Sequence, residues 1–362
     1  MRNIARNSLR NIWRSAAALA LAGTCFSAGY APSQAADIVE GPRVHWNYSL
    51  WGKPRANTTF MENLGPWLSE RTGGSFTLQL HWGTLSQPRS NLDGLKLGAF
   101  QGALSCFAYY PGKVPAHTGL DLPFLPITKL AQLRAVSDDY FADETLKKES
   151  AKWNAQYYMA ALLPMYEAVG KGTAPKSLAD WKGMRIRAAG EHGKAMQRLG
   201  VVPTSVPAPD VYVSMDRGLI EAVAFPYYAH DSYRTWELGD WFTRDLALGT
   251  LSCVTFWNSE AYAALPPQYQ ALLQEFPNDP QGYPAQITTL NEESERLPNA
   301  FKERGLQEID IAPEERADFV KIGGEPIWAE WVARMTNDYG YDGQRLLDKI
   351  LALAKEYKGA EN

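Results

Sequence analysis

Arg185-Ile186-Arg187 closes the first strand of a segment, Leu178 to Phe225, whose pattern reads strand, helix, strand, helix, strand. An arginine where a strand gives way to a ligand-facing loop suits carboxylate capture. Its guanidinium is planar, permanently charged and able to grip two carboxylate oxygens at once. The competing reading of Arg187 is a surface ion pair, which is common and contributes little. On a regular strand Arg185 and Arg187 share a face, so only the strand's end separates their roles.

Aromatic residues gather where strands are expected to end: Trp51, Tyr109, Tyr110, Tyr166, Phe225, Tyr227, Tyr228 and Trp257, in a chain with 12 Trp, 18 Tyr and 13 Phe. Such residues can line a pocket or simply fill a core. Their clustering motivates the expectation of a ligand with apolar or aromatic parts. Other chemistry is sparse. His45, His81, His117, His192 and His230 form no close metal-binding pair, and no nucleophile elbow, P-loop or Rossmann glycine fingerprint is present. No metal and no cofactor is expected. Glu191-His192 follows the arginine strand; it reads as a solvated helix start, where an acidic residue favours the helix dipole.

The elements that must position these residues follow from periodicity. Val44–Leu50 reads as a strand, and Phe60, Leu64, Trp67 and Leu68 mark a helix interrupted by Gly65-Pro66. Phe76 to Trp82 alternates as a half-buried strand does, a short helix spans Asn91 to Leu97, and Ala103 to Ala108 is a doubly buried strand. Leu130 to Trp153 reads as helical. Further strands are expected at Tyr157–Leu163, Glu167–Lys171 and Leu251–Trp257. The tail is mostly helical, with Ile287, Leu290, Leu297 and Phe301 along one long helix and Pro298 as a bend. Alternating strands and helices imply α/β lobes, and the absence of a Gly/Ser linker implies a chain that crosses between two lobes more than once. Ligands bind between such lobes at the carboxyl ends of strands.

Arg2, Arg6, Arg10 and Arg14 precede an apolar run from Ala16 to Phe26 and small residues up to Ala36. This is the pattern of a cleavable Sec-type signal peptide, so a periplasmic protein without stable membrane insertion is expected. The net charge of −4 becomes more negative once those arginines leave, which argues against nucleic acid as a partner. Cys106 and Cys253 lie in apolar strand-like runs. They read as two buried free thiols, with a single bridge as the alternative.

The order of motifs resembles the periplasmic solute-binding proteins of TRAP transporters, of the DctP type. The resemblance rests on ERTGGSFTLQLHWGTL, LDGLKLGAFQGAL and YYPGKVPAHTGLDLPFL in the first half. SLADWKGMRIRAAG, LGVVPTSVPAPDVYVSMDRGLIEAV and FWNSEAYAALP carry it in the second. It covers essentially the whole mature chain. It implies a two-lobed periplasmic binding protein fold of class α/β. Each lobe is a mixed, mostly parallel sheet flanked by helices, and a long helix spans both. The implied division is a signal peptide at 1–36, a first lobe at 37–160 to which part of 258–300 returns, a second lobe at 161–257, and C-terminal helices in 258–362. It implies a non-enzymatic binder of one small organic acid, delivered to TRAP membrane permease subunits. Arg187 would grip the carboxylate, Asn258 would contact the same ligand, and the region of Tyr109 would supply first-lobe contacts. With Trp51, Tyr166, Phe225 and Tyr228 these are the expected site residues. Two departures stand out: Glu221-Ala222 replaces the family's Asp-Gly, and Phe225-Pro226 stands where some members hold a metal with a Glu-Trp pair. A metal-bridged 2-oxo acid is therefore disfavoured. The alternatives are an ABC-type periplasmic receptor and a periplasmic lyase or hydrolase acting on organic acids.

Overall fold

The computed structural model describes residues 38–360, so the signal-peptide expectation lies outside the described residues. Among the described residues eleven strands occur in chain order: β1 (Val44–Leu50), β2 (Phe76–Trp82), β3 (Gly102–Cys106), β4 (Ala155–Ala160), β5 (Glu167–Gly170), β6 (Arg185–Arg187), β7 (Val202–Thr204), β8 (Ala222–Phe225), β9 (Trp241–Arg244), β10 (Cys253–Asn258) and β11 (Gln307–Asp310). They build a five-stranded sheet, β2-β1-β3-β10-β4, and a six-stranded sheet, β11-β9-β5-β8-β6-β7.

The first sheet begins as sequence patterning requires. Tyr48 and Leu50 of β1 are fully buried, and β3 is buried at every residue. β1 runs parallel to β2 and β3, but β10 is antiparallel to both β3 and β4. The first sheet is thus mixed and mostly parallel, as expected: β10, returning from the second lobe, runs against its other four strands. That return also moves the expected boundary: the chain rejoins the first sheet at Cys253, not after Trp257, while β11 comes from the tail to extend the second sheet.

Register settles the cysteines. Cys253 lies directly opposite Cys106, with Cα atoms 4.0 Å apart, and the two form a disulfide. The expectation of free thiols is corrected: alignment of two antiparallel strands from distant parts of the chain makes the bridge.

A 21-residue helix, Tyr283–Glu303, runs through Pro298 and is about 30 Å long at the usual helical rise. At one end the Tyr283 hydroxyl accepts the Ala160 N–H of the first sheet at 2.7 Å. At the other, Phe301 packs edge-on against Phe242 of the second sheet, 5.7 Å between ring centres. The helix Glu325–Tyr339 adds another tie, with the Trp331 indole donating to Thr118 and Arg334 pairing with Glu191. The expected helix across Leu130 to Trp153 is two, Leu130–Phe141 and Glu144–Ala151, the second capped by the Asp143 side chain. Among the described residues, no helix is long and apolar enough to cross a membrane.

Candidate functional site

β6 is only three residues long, and its burial rises along it: Arg185 is exposed, Ile186 and Arg187 buried. At the amino end, Arg185 reaches Glu221 at 3.4 Å. Arg187, at the carboxyl end, is 1 % exposed. Its Nε donates to the Val206 carbonyl at 3.0 Å and its Nη1 to the Ala224 carbonyl at 3.1 Å. Its guanidinium lies 4.3 Å from the Phe225 ring centre, a cation–π contact. Among the described residues no carboxylate lies within ion-pair distance, so the surface-ion-pair reading does not hold for Arg187. A buried charge with only neutral partners is costly, and an incoming anion relieves that cost.

Phe225 ends β8 and forms one wall. Tyr233 stacks on it at 5.7 Å, and Tyr166 lies 6.5 Å away at an angle. Trp51, just beyond β1, and Tyr109, in the turn after β3, meet edge to face at 5.9 Å. Tyr228 is buried beside them; burial raises its phenol well above the usual range, with Tyr166, Tyr233 and Tyr109 adding to the rise and Arg55 opposing it. The Tyr166 phenol is likewise raised by burial and pulled back by Arg187. The fold therefore gathers Arg187, Trp51, Tyr109, Tyr166, Phe225 and Tyr228 from strand ends and the segments that adjoin them.

The two lobes touch across this site. The Ala208 N–H donates to the Tyr109 hydroxyl at 3.1 Å. Arg89 donates to the Tyr109 carbonyl at 3.2 Å and to the Ser205 carbonyl at 2.8 Å. Gly190 has φ +57°, and a Cβ there would stand 3.0 Å from the Ala108 Cβ, so a side chain would strain the turn and crowd the closure.

Asn258 is not among these residues. It lies at the other end of β10 from Cys253. Its side chain is committed at both ends, accepting from the Ala261 N–H at 2.8 Å and donating to the Leu95 carbonyl at 2.8 Å. It caps the helix Ser259–Ala263, and the ligand contact implied by resemblance is corrected. Tyr110 and Trp257 are core, Trp257 packing on Trp46 and Tyr48, and Tyr227 is half-buried against the core.

Glu191 and His192 are also misread by sequence, being 3 % and 0 % exposed rather than solvated. Glu191 holds Lys194 at 2.9 Å and Arg334 at 2.6 Å. His192 packs edge-on to Tyr166 at 5.0 Å; burial, then the Arg187 charge, lower its pKa to about 3 and keep it neutral. Sequence reasoning missed Tyr233 altogether. The available signal was Tyr233 closing the short aromatic helix Tyr227–Ser232, but nothing local shows that its ring folds back onto Phe225.

Comparison with known proteins bears on the family and the fold. The family model of bacterial extracellular solute-binding protein family 7, DctP, matches residues 51–334. A monocarboxylate 2-oxoacid-binding periplasmic protein of Nostoc sp. is 24 % identical over 243 residues, which is 64 % of this chain and 65 % of that protein's length. A marine metagenome TRAP solute-binding protein from an unidentified microbe, specific for aromatic acid ligands and solved with metahydroxyphenylacetate, superposes with a TM-score of 0.77. It is 18 % identical and covers 87 % of this chain and 99 % of its own. A TRAP solute-binding protein from Rhodoferax ferrireducens T118, solved with copurified benzoate, gives 0.76 at 21 % identity over 87 % and 99 %. At such identities the structural likeness speaks to the fold.

Proposed function

The chain belongs to bacterial extracellular solute-binding protein family 7, the DctP family of TRAP transporters, and on that premise we propose that it captures a small aromatic organic acid. The carboxylate docks on Arg187, and the apolar body lies against Phe225, Tyr166, Tyr228, Trp51 and Tyr109. The protein works in the periplasm after export, returns its ligand unchanged, and delivers it to the membrane permease subunits.

The observation that carries this reading is Arg187, a buried guanidinium held by two backbone carbonyls and paired with no carboxylate of the protein. Docking of an acid shields the pair from water, which strengthens the attraction. The aromatic wall supports the choice of ligand body, and the solved relatives that hold metahydroxyphenylacetate and benzoate point the same way. Phe225-Pro226 replaces the pair that would favour a metal-bridged 2-oxo acid.

A thermal-shift screen tests it. A ligand that binds only the folded state stabilises by about 2.7 kcal/mol at a hundred times its Kd. Benzoate, mandelate and hydroxyphenylacetate are expected to raise the melting temperature and to be recovered intact. A screen in which only short aliphatic diacids bind overturns the aromatic reading, and turnover of any acid overturns the non-enzymatic one.

A further inference from the structure

Arg55 is a second nearly buried guanidinium without a counter-charge. It follows β1, is 9 % exposed, and its Nη1 donates to the Trp51 carbonyl at 2.8 Å and the Lys53 carbonyl at 2.9 Å. Among the described residues no carboxylate pairs with it. Asp231 and Glu293, which line the adjoining groove, are already engaged by Arg304 and Arg296. Beside Arg55, the Tyr233 hydroxyl is buried next to the Trp51 side chain, whose indole can only donate, and it finds no acceptor within the protein. Gly52, at φ +75°, leaves room over both: a Cβ there would stand 3.0 Å from that hydroxyl and 3.3 Å from Arg55 Nη1.

These groups are continuous with the Arg187 site. Arg187 lies 4.3 Å from the Phe225 ring centre, Phe225 stacks on Tyr233 at 5.7 Å, and Arg55 lies 5.8 Å from the Tyr233 ring centre. Two guanidinium groups thus flank a stacked aromatic pair, each short of a negative charge.

We propose that Arg55 and the Tyr233 hydroxyl form a second anion subsite, so that the preferred ligand is an aromatic acid bearing a carboxylate at each end of its ring. The proposal rests on Arg187 as the first carboxylate anchor. One carboxylate compensates Arg187 and leaves Arg55 uncompensated; a second supplies the counter-charge that Arg55 lacks and the acceptor that the Tyr233 hydroxyl lacks. The competing role for Arg55 is structural, holding the turn after β1 through the two carbonyls, and that role does not depend on what the ligand carries at its far end.

The test is calorimetric titration of the purified mature protein with benzoate, 4-hydroxybenzoate, benzene-1,3-dicarboxylate and benzene-1,4-dicarboxylate. At least one diacid is expected to bind tenfold or more tighter than benzoate. Arg55→Met should abolish that preference while benzoate affinity stays within about threefold, and Tyr233→Phe should reduce it. Arg55→Lys, which keeps the charge but not the fork, should retain part of the preference; it and Tyr233→Phe carry the test if Arg55→Met does not fold. A diacid-to-benzoate ratio unchanged by Arg55→Met and Tyr233→Phe overturns the second subsite, as does an equal gain from 4-hydroxybenzoate. If Arg187→Ala leaves benzoate binding intact, or if no acid in the panel binds, the underlying carboxylate-anchor reading falls instead, and the second subsite with it.

Discussion

The Arg187 guanidinium lies 4.3 Å from the centre of the Phe225 ring, and that contact joins the two halves of the site. Phe225 holds the cation by its π-face without neutralising it, so the charge remains available to a carboxylate. The ring also contributes apolar surface for the ligand body. On the proposed function, attraction for acids and preference among acids come from neighbouring but distinct groups.

Arg187→Ala is expected to weaken acid binding at least about a hundredfold, roughly 2.7 kcal/mol, by calorimetric titration. Arg187→Lys should also lose affinity, because a point charge does not reproduce the planar fork. Arg187→Met should abolish binding yet leave the unliganded protein as stable as before or more so, since it removes a buried charge that has no counter-ion. A strong loss of unliganded stability in Arg187→Met would show that the arginine is structural.

Asn258→Ala should do the reverse. Loss of the helix cap costs about 1 kcal/mol in denaturant unfolding, and ligand affinity should not change. A tenfold loss of affinity would return Asn258 to the site.

Tyr109→Phe removes the hydroxyl that accepts the Ala208 N–H across the cleft, and Arg89→Ala removes both bonds to the Tyr109 and Ser205 carbonyls. Each variant loses one bond between the lobes, to Ala208 or to Ser205, so at about 1 kcal/mol per net hydrogen bond each should release ligand about fivefold faster in stopped-flow measurements. Unchanged release rates would mean that these bonds do not hold the closed state.

The Cys106–Cys253 bridge closes a loop spanning 147 positions. Restriction of the unfolded chain alone implies a stabilisation of about 5 kcal/mol, and pairing fits an oxidising compartment outside the cytoplasm. A Cys106→Ser, Cys253→Ser double variant should unfold at markedly lower denaturant. No change in midpoint between it and the oxidised protein would count against the bridge.

Glu167 provides a pH signature. Its carboxylate accepts from Thr243 at 2.6 Å, Ala247 N at 2.9 Å and Leu246 N at 3.2 Å, yet burial pushes its pKa up to about 7. From its ordinary 4.5 up to about 7, the unfolded chain gives up this proton before the native state does. This contribution to stability is present at low pH, falls as pH rises through that window and is level above it. The stability of wild type relative to Glu167→Gln should accordingly drop by about 3 kcal/mol between pH 4.5 and 7.5 in chemical denaturation. A pH-independent difference would mean that Glu167 titrates alike in both states.

Most elements were legible because their signals are local. Alternation located β1 and β2 at the observed residues, and the pattern from Leu178 to Phe225 anticipated β6, β7 and β8 with their intervening helices. Boundaries drifted where a run of apolar residues continues past its strand: β3 ends at Cys106, and Phe107 to Tyr109 form a tight turn that turns Tyr109 toward the second lobe. Glu191 and His192 were misread because Arg334 and Tyr166, which cover them, are remote in sequence.

Periodicity and turn chemistry in the chain were enough to establish the α/β elements and an arginine at the end of a short strand, because backbone preferences and side-chain alternation act over a few residues. Whether that arginine meets a protein carboxylate, whether Asn258 faces a ligand or caps a helix, whether two cysteines 147 positions apart bond, and whether Arg55 joins Tyr233 were all settled by folding. Those outcomes depend on the register of β10 against β3 and on closure of one lobe over the other. Such contacts bring together residues whose spacing along the chain carries no record of their distance in space.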